Sequence, residues 1–267
     1  MRALKRFGQH FLEAAWADKL IAAIDPQPED HFLEIGPGPG ALTLRLAPRV
    51  ARLTAVEVDG SMIASLGPKL PPNVTLVHGD FLTVDPASLG ERQLRVAGNL
   101  PYNVSSPILF KLIEMHRARG CGVAGPALLD ATLMVQREVA ARIEAKPGGR
   151  DYGVLAILVQ LHADVRRALT LPPGAFRPAP RVHSAVVSLR FRAPRVPVHD
   201  DGAFTAMVRS MFTQRRKTLS NALKPYAESR GTSAAGALSA AGIDPKRRPE
   251  TLQLEELARL AAVFSVH

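Results

Sequence analysis

The sequence predicts an α/β protein: a mostly parallel sheet with helices between its strands, then a small all-α C-terminal domain. Three observations carry this. Short apolar runs bounded by turn residues recur through the first two-thirds of the chain. Segments with helical spacing separate them, the pattern of right-handed strand–helix–strand crossovers. Beyond Arg195-Val196-Pro197-Val198 no strand signal appears.

In order, His31–Ile35, Leu53–Val58, Val74–Val77, Leu94–Gly98 and Ala131–Val135 read as short buried strands. Ala41–Leu46, Ile63–Leu70 and Ile108–His116 have helical spacing between them, and Tyr152–Leu161 reads as a further helix. Val165–Leu171 and Val182–Phe191 read as strands, and the second alternates apolar and polar residues. With Pro172-Pro173, Pro178 and Pro180 between them, they make an antiparallel pair at the sheet edge. Phe204–Phe212, Thr218–Ala227, Ala234–Ala241 and Leu254–Phe264 read as helices. The expected domains are residues 1–194 and 195–267.

Composition bounds the function. Of 267 residues, 46% are hydrophobic and 22% charged, which excludes a wholly disordered chain, a collagen or a disulfide scaffold. Lys and Arg number 34 against 24 Asp and Glu, a formal net charge of +10. The excess is uneven: residues 178–267 carry 14 basic and 7 acidic residues, residues 1–177 carry 20 and 17. A basic surface concentrated in one region fits a polyanion partner. The single cysteine, Cys121, excludes internal disulfides, and the eight histidines lack metal-ligand spacing, so no metal is expected. No apolar run reaches the roughly 18 residues needed to span a bilayer. A cytoplasmic protein without a membrane partner, monomeric by default, is expected.

Glu34-Ile35-Gly36-Pro37-Gly38-Pro39-Gly40 follows the first strong strand and precedes a helix. A glycine-rich turn there lets backbone approach a ligand at a helix N-terminus. Glu57, ending the next strand, is placed to accept ribose hydroxyls. Two readings compete. Gly36, Gly38 and Ala41 satisfy the dinucleotide fingerprint. The acidic residue two before the first glycine instead fits an S-adenosylmethionine site. Asp80 favours the methyl donor, since a carboxylate after the third strand can accept from the adenine amino group, and Phe81 can pack on the ring.

Asn99-Leu100-Pro101-Tyr102 directly follows the fourth strand. The lone pair of an aromatic amine such as adenine N6 is delocalised into the ring. Accepting both amine hydrogens favours a pyramidal nitrogen with its lone pair aimed at a donor. The Asn99 side-chain oxygen and the Leu100 carbonyl supply those acceptors. Pro101 fixes the backbone, and Tyr102 stacks on the base. In-line methyl transfer then needs positioning more than a strong base.

At these residues the chain closely resembles the ribosomal RNA adenine N6-dimethyltransferases, the bacterial small-subunit (16S) family associated with kasugamycin sensitivity. The resemblance rests on residues 5–12, 33–40, Val56-Glu57-Val58-Asp59, 98–107, 134–139, 176–187, 214–223 and Arg248-Pro249-Glu250-Thr251-Leu252. It implies a Rossmann-like class I methyltransferase sheet. It also implies methyl transfer from S-adenosylmethionine, without a metal, to two adjacent adenosines near the 3′ end of 16S rRNA. Donor contacts at His10, Leu12, Gly36, Glu57, Asp80 and Asn99 are implied by it, as is a base held between Tyr102 and Phe176. Without the resemblance Phe176 reads as core, or as packing the Pro-rich loop. His183 stands where the family usually has Asp, Gly60-Ser61 replaces a more usual charged pair, and Arg119–Gly125 forms a looser loop.

Arg215-Arg216-Lys217 reads as opening a helix of the small domain, and Lys5-Arg6 precedes the first donor contacts. These five are the candidate RNA-binding residues. Large-subunit rRNA methylation and a non-catalytic role as an assembly factor are the competing readings. The Arg215–Leu223 motif favours the small-subunit branch.

Overall fold

The computed structural model describes residues 10–90 and 92–265. They fall into two compact units, one within Met1–Ala140 and Ala163–Arg192, the other within Ala141–His162 and Ala193–His267. Lys5 and Arg6 lie outside the described residues.

The first unit is built on a seven-stranded sheet. Its parallel strands are β2 (His31–Ile35), β3 (Arg52–Glu57), β4 (Val74–His78), β5 (Gln93–Asn99) and β6 (Ala127–Gln136). β7 (Ala163–Leu171) and β9 (Ser184–Phe191) complete it in the order β4-β3-β2-β5-β6-β9-β7, with β9 antiparallel to both neighbours. The expected antiparallel edge is therefore present. β6 begins four residues before the expected Ala131, and a register shift between Leu94 and Arg95 sits opposite its first half. A two-stranded ribbon pairs β1 (Phe11–Leu12) with β8 (Phe176–Arg177).

Helix α1 (Ala14–Ile24) buries Ala17, Leu20, Ile21 and Ile24, an i, i+3, i+4, i+7 stripe. The stripe packs with Phe32, Leu46, Leu53 and Phe176 in one apolar cluster. α2 (Thr43–Leu46) follows the glycine turn, and α3 (Gly60–Leu66) follows β3. α3 ends in a 3-10 turn at Gly67–Lys69 instead of running on to Leu70, because Pro68 has no N–H to continue the helix. Asp59 caps α3, accepting from the Ser61 N–H at 2.9 Å and hydroxyl at 2.6 Å, so Gly60-Ser61 forms a capped helix start. α4 (Ser105–Gly120) links β5 to β6, and α5 (Arg137–Glu144) follows β6.

Arg95, on β5, ties three elements together. Its Nε reaches Asp130 on β6 at 3.0 Å, and one terminal nitrogen reaches Asp30 at 2.6 Å. The guanidinium also donates to the Ile24 and Asp25 carbonyls at 2.7 and 3.0 Å, satisfying orphan acceptors at the end of α1.

The second unit holds α6 (Val154–His162), α7 (Asp201–Thr213), α8 (Leu219–Ala222), α9 (Lys224–Ser229), α10 (Ala234–Ala240) and α11 (Leu254–Val263). The sequence places residues 141–162 with the sheet, but α6 buries seven of its nine residues and packs against α7. Tyr152, just before it, donates to the Leu252 carbonyl at 3.1 Å and meets Phe212 edge-on. The expected helix Thr218–Ala227 is two short helices, since Pro225 cannot donate to the preceding turn. Arg215-Arg216-Lys217 does not open a helix: these residues form the turn between α7 and α8. None of the described helices is long and apolar enough to cross a membrane.

Replacing Arg95 with Met leaves two carboxylates and two helix-end carbonyls without their partner. Its unfolding free energy in urea is expected to fall by about 3 kcal/mol. A loss below about 0.5 kcal/mol, the range of an ordinary surface substitution, would show that Arg95 does not tie these elements together.

Candidate active site

Connections run one way from β2 to β3 and β4, and the other way from β5 to β6. The order therefore reverses between β2 and β5, where open parallel sheets bind ligands beyond their strand ends. A cavity of about 360 Å³ opens there. Its lining includes His10, Leu12, Glu34, Gly36, Gly38, Glu57, Asp80, Phe81, Asn99, Leu100, Pro101 and Tyr102. Thus one cavity gathers every donor-site candidate and the Asn99–Tyr102 turn.

The glycine turn is held by its neighbours. Gly36 and Gly38 adopt left-handed φ of +70° and +54°, which side chains disfavour. The Gly36 N–H donates to the Val56 carbonyl at 2.9 Å. The Gly38 N–H donates to Glu57 Oε2 at 2.9 Å, while Glu57 Oε1 accepts from the Asp59 N–H at 2.9 Å. Each carboxylate oxygen keeps accepting capacity for a ligand hydroxyl.

Glu34 is 1% exposed and yet lines the cavity. Its Oε2 has no hydrogen-bond partner among the described residues. Burial pushes its carboxyl up to about 8; Glu57 adds to the rise and Thr43 opposes it. Asp80 accepts from the Leu82 N–H at 2.9 Å through one oxygen, and Phe81 is buried beside it.

At the β5 end, the Asn99 side-chain amide donates through Nδ2 to the His10 carbonyl at 2.8 Å, which leaves Oδ1 as the acceptor. The Pro101 carbonyl is taken by the Val104 N–H at 3.1 Å and the Ser105 hydroxyl at 3.0 Å. Asn99 Oδ1 and the Leu100 carbonyl remain as candidate acceptors. The Tyr102 hydroxyl shares a 2.6 Å hydrogen bond with Ser184 Oγ, and burial raises its pKa. The His10 ring stacks on Tyr102 at 5.4 Å between centroids, and His10 Nδ1 lies 2.8 Å from the Pro178 carbonyl.

Phe176 is not at this cavity. It is fully buried, in the cluster with Leu12, Leu171, Ala175 and Val186. The ring facing Tyr102 here is His10 instead, and Phe176 takes the packing place that its sequence context allows. Arg216 and Lys217 are exposed on the α7–α8 turn. Arg215 donates to the Arg150 carbonyl at 3.1 Å and lies 3.7 Å from Glu250. The His183 side chain is exposed, and its carbonyl accepts from the Arg137 N–H at 2.9 Å. No group of His, Cys, Asp and Glu suited to a metal occurs among the described residues.

Residues 1–265 match the family described as ribosomal RNA adenine dimethylase. The chain belongs to that family. This dimethylase is 44% identical to ribosomal RNA small subunit methyltransferase A of Syntrophotalea carbinolica, an alignment covering 100% of this chain and 98% of that one. With the protein of the same description from Nitrosococcus oceani it shares 44% identity, over 97% of this chain and 95% of that one. Among solved structures it is similar to a dimethyladenosine transferase from Plasmodium falciparum, with a TM-score of 0.76 and 26% identity over 94% and 96% of the two chains. The 23S rRNA methyltransferase ErmE is also similar, with a TM-score of 0.66 and 26% identity over 96% and 99%. The central sheet of this dimethylase is thus the class I methyltransferase sheet.

Ser184, which shares a hydrogen bond with the Tyr102 hydroxyl, is a residue of this site that sequence reading misses. Ser184 stands within residues 176–187, but nothing in its spacing marks it as the partner of Tyr102.

The raised Glu34 carboxyl has a consequence for stability. A group whose folded pKa exceeds its unfolded value of 4.5 destabilises the fold progressively as pH rises from that value through about 8. Glu34→Gln is therefore expected to gain stability over the natural chain at pH 9 and to match it near pH 4.5. At about 1.4 kcal/mol per pKa unit the ceiling of that gain is roughly 4–5 kcal/mol. Parallel urea curves with a constant offset at both pH values would contradict the assignment.

Proposed function

We propose that this enzyme transfers methyl groups from S-adenosylmethionine to N6 of two adjacent adenosines near the 3′ end of 16S rRNA. Each adenosine receives two, during small-subunit biogenesis in the cytoplasm. The observation that carries the chemistry is the pinned amide of Asn99. With Nδ2 committed to the His10 carbonyl, Oδ1 faces the reaction as an acceptor beside the Leu100 carbonyl. Support for the small-subunit substrate is the full-length 44% identity to small-subunit enzymes, against 26% to ErmE.

The cavity's donor set suits S-adenosylmethionine. Glu57 accepts ribose hydroxyls, Asp80 accepts from the adenine amino group and Phe81 packs on that ring. His10, Leu12, Gly36 and Gly38 border the same space, and Glu34, whose Oε2 has no partner among the described residues, faces it as a mostly neutral carboxyl that can hydrogen-bond a ligand. When bound, the donor supplies an electrophilic methyl on a sulfonium, with a neutral thioether as the leaving group. Asn99 Oδ1 and the Leu100 carbonyl accept hydrogen bonds from the N6 hydrogens, two in the first transfer and one in the second, and turn the lone pair out of conjugation; the proton displaced as each N–CH3 bond forms passes to solvent. Pro101 holds that carbonyl's direction. Tyr102, fixed by Ser184, offers its face to the target base, and His10 must leave that face for a base to stack. Arg216 and Lys217, with Lys5 and Arg6, contact phosphates. Arg215, braced by Arg150 and Glu250, shapes the turn.

Asn99→Ala is expected to lower kcat on unmethylated small subunits by about 10²–10³-fold, as loss of one preorganised polar contact does. Donor affinity, measured by equilibrium binding, should fall by no more than about tenfold, one hydrogen bond's worth. Dimethyladenosine formed at the natural rate would overturn the role. The double variant Arg216→Ala, Lys217→Ala should weaken RNA binding and flatten its salt slope by about 0.7 per lost phosphate contact, sparing donor binding. RNA affinity unchanged at low and moderate salt would contradict this.

A further inference from the structure

Helix α4 does more than connect β5 to β6. At its first turn the Ser105 hydroxyl holds the Pro101 carbonyl, and so the Asn99–Tyr102 turn. Further along, Lys111 reaches the segment after β4. Its Nζ donates to the Leu82 carbonyl at 2.9 Å and to the Val84 carbonyl at 2.6 Å. The same nitrogen lies 5.4 Å from the centroid of the Phe81 ring. The segment it grips is short and carries both residues that face the adenine end of the donor. Asp80 closes a turn onto Leu82, and the Val84 N–H returns to the Asp80 carbonyl at 3.1 Å. Apart from these local turns, Lys111 supplies the side-chain bonds between this segment and the rest of the unit among the described residues.

We propose that Lys111 is a positioning residue for the methyl donor: its ammonium, bonded to the Leu82 and Val84 carbonyls and set against the Phe81 ring, holds Asp80 and Phe81 where the donor's adenine is read. This rests on the donor-site reading above and extends it to a residue that does not line the cavity. A hydrogen bond from an ammonium to a carbonyl is stronger than a neutral one, and a half-buried cation between two carbonyls fixes both at once. The benzene face of Phe81 adds a cation–π attraction that favours one ring orientation. Because Ser105 and Lys111 share one helix, α4 sets the distance between the turn that holds the target amine and the loop that reads the donor.

The test uses the whole chain with Lys111→Met and Lys111→Arg. Equilibrium binding of S-adenosylhomocysteine is compared with that of its 6-oxo counterpart, S-inosylhomocysteine, and is followed by steady-state transfer to unmethylated small subunits. Lys111→Met is expected to weaken S-adenosylhomocysteine binding about tenfold, the loss of a charge-assisted hydrogen bond. Its preference for the amino over the oxo compound should shrink, since Asp80 is no longer held. KM for the donor should rise in step, with kcat at saturating donor and KM for the small subunit within about twofold of the natural values, the signature of lost donor binding alone. Lys111→Arg, which keeps charge and donors, should recover most of the loss. Natural affinity and natural base preference in Lys111→Met would overturn the proposal. So would a fall in kcat and thermal stability with the amino/oxo preference intact, which marks a general structural role. Failure of the natural chain itself to bind S-adenosylhomocysteine would overturn the donor-site reading first, and this inference with it.

Discussion

The site depends on one carboxylate. Glu57, at the end of β3, receives the Gly38 N–H on one oxygen and the Asp59 N–H on the other. The first bond holds the glycine turn in its left-handed path beside the β2 end. The second sets the chain direction into α3, whose cap is Asp59. A carboxylate in this place is therefore architectural before any ligand arrives, and its remaining lone pairs are already aimed at the cavity. Preorganisation of this kind lets a ribose be bound without reordering the backbone. The cost appears at Glu34, a second carboxyl in the same cavity, which burial and Glu57 together push toward its neutral form.

A second constraint comes from far along the chain. The β1–β8 ribbon brings residues 11–12 against 176–177, and the Arg177 guanidinium meets Glu13 at 2.8 Å. That ribbon carries His10 to Asn99 and Tyr102, where its carbonyl decides which end of the Asn99 amide faces outward. Its ring covers the face of Tyr102. Orientation of the Asn99 amide is thus tied to backbone pairing over about 165 residues, while α4 joins the same turn to the Asp80–Val84 segment.

Much of this was legible in the sequence, and for identifiable reasons. The buried parallel strands read as mostly apolar runs such as Leu33–Ile35 and Leu53–Val58, because both faces of the sheet are covered, and the acidic residues that interrupt them, Glu34 and Glu57, line the cavity. The glycine turn and Asn99–Tyr102 were legible because a site at strand ends must use turn residues. The ribbon was not, since two-residue strands have no period and their partners lie far apart in sequence. α6 was assigned to the sheet by its place in the chain, and apolar residues on nearly all its faces say only that it is buried, not against what. Lys111 and Ser184 gave no signal because a supporting residue is defined by what it touches. The resemblance places Phe176 at the base, while the structure buries its side chain in the cluster with Leu12, Leu171, Ala175 and Val186.

Methylation of adenine in the small ribosomal subunit by this cavity can be tested in a single assay. The most direct test incubates the protein with labelled S-adenosylmethionine and, separately, unmethylated small subunits, mature small subunits and large subunits, then maps the modified nucleosides. Label is expected in unmethylated small subunits alone, recovered as dimethyladenosine at two adjacent positions near the 3′ end of 16S rRNA. Label in the large subunit, or donor binding without transfer to any of the three, would contradict it.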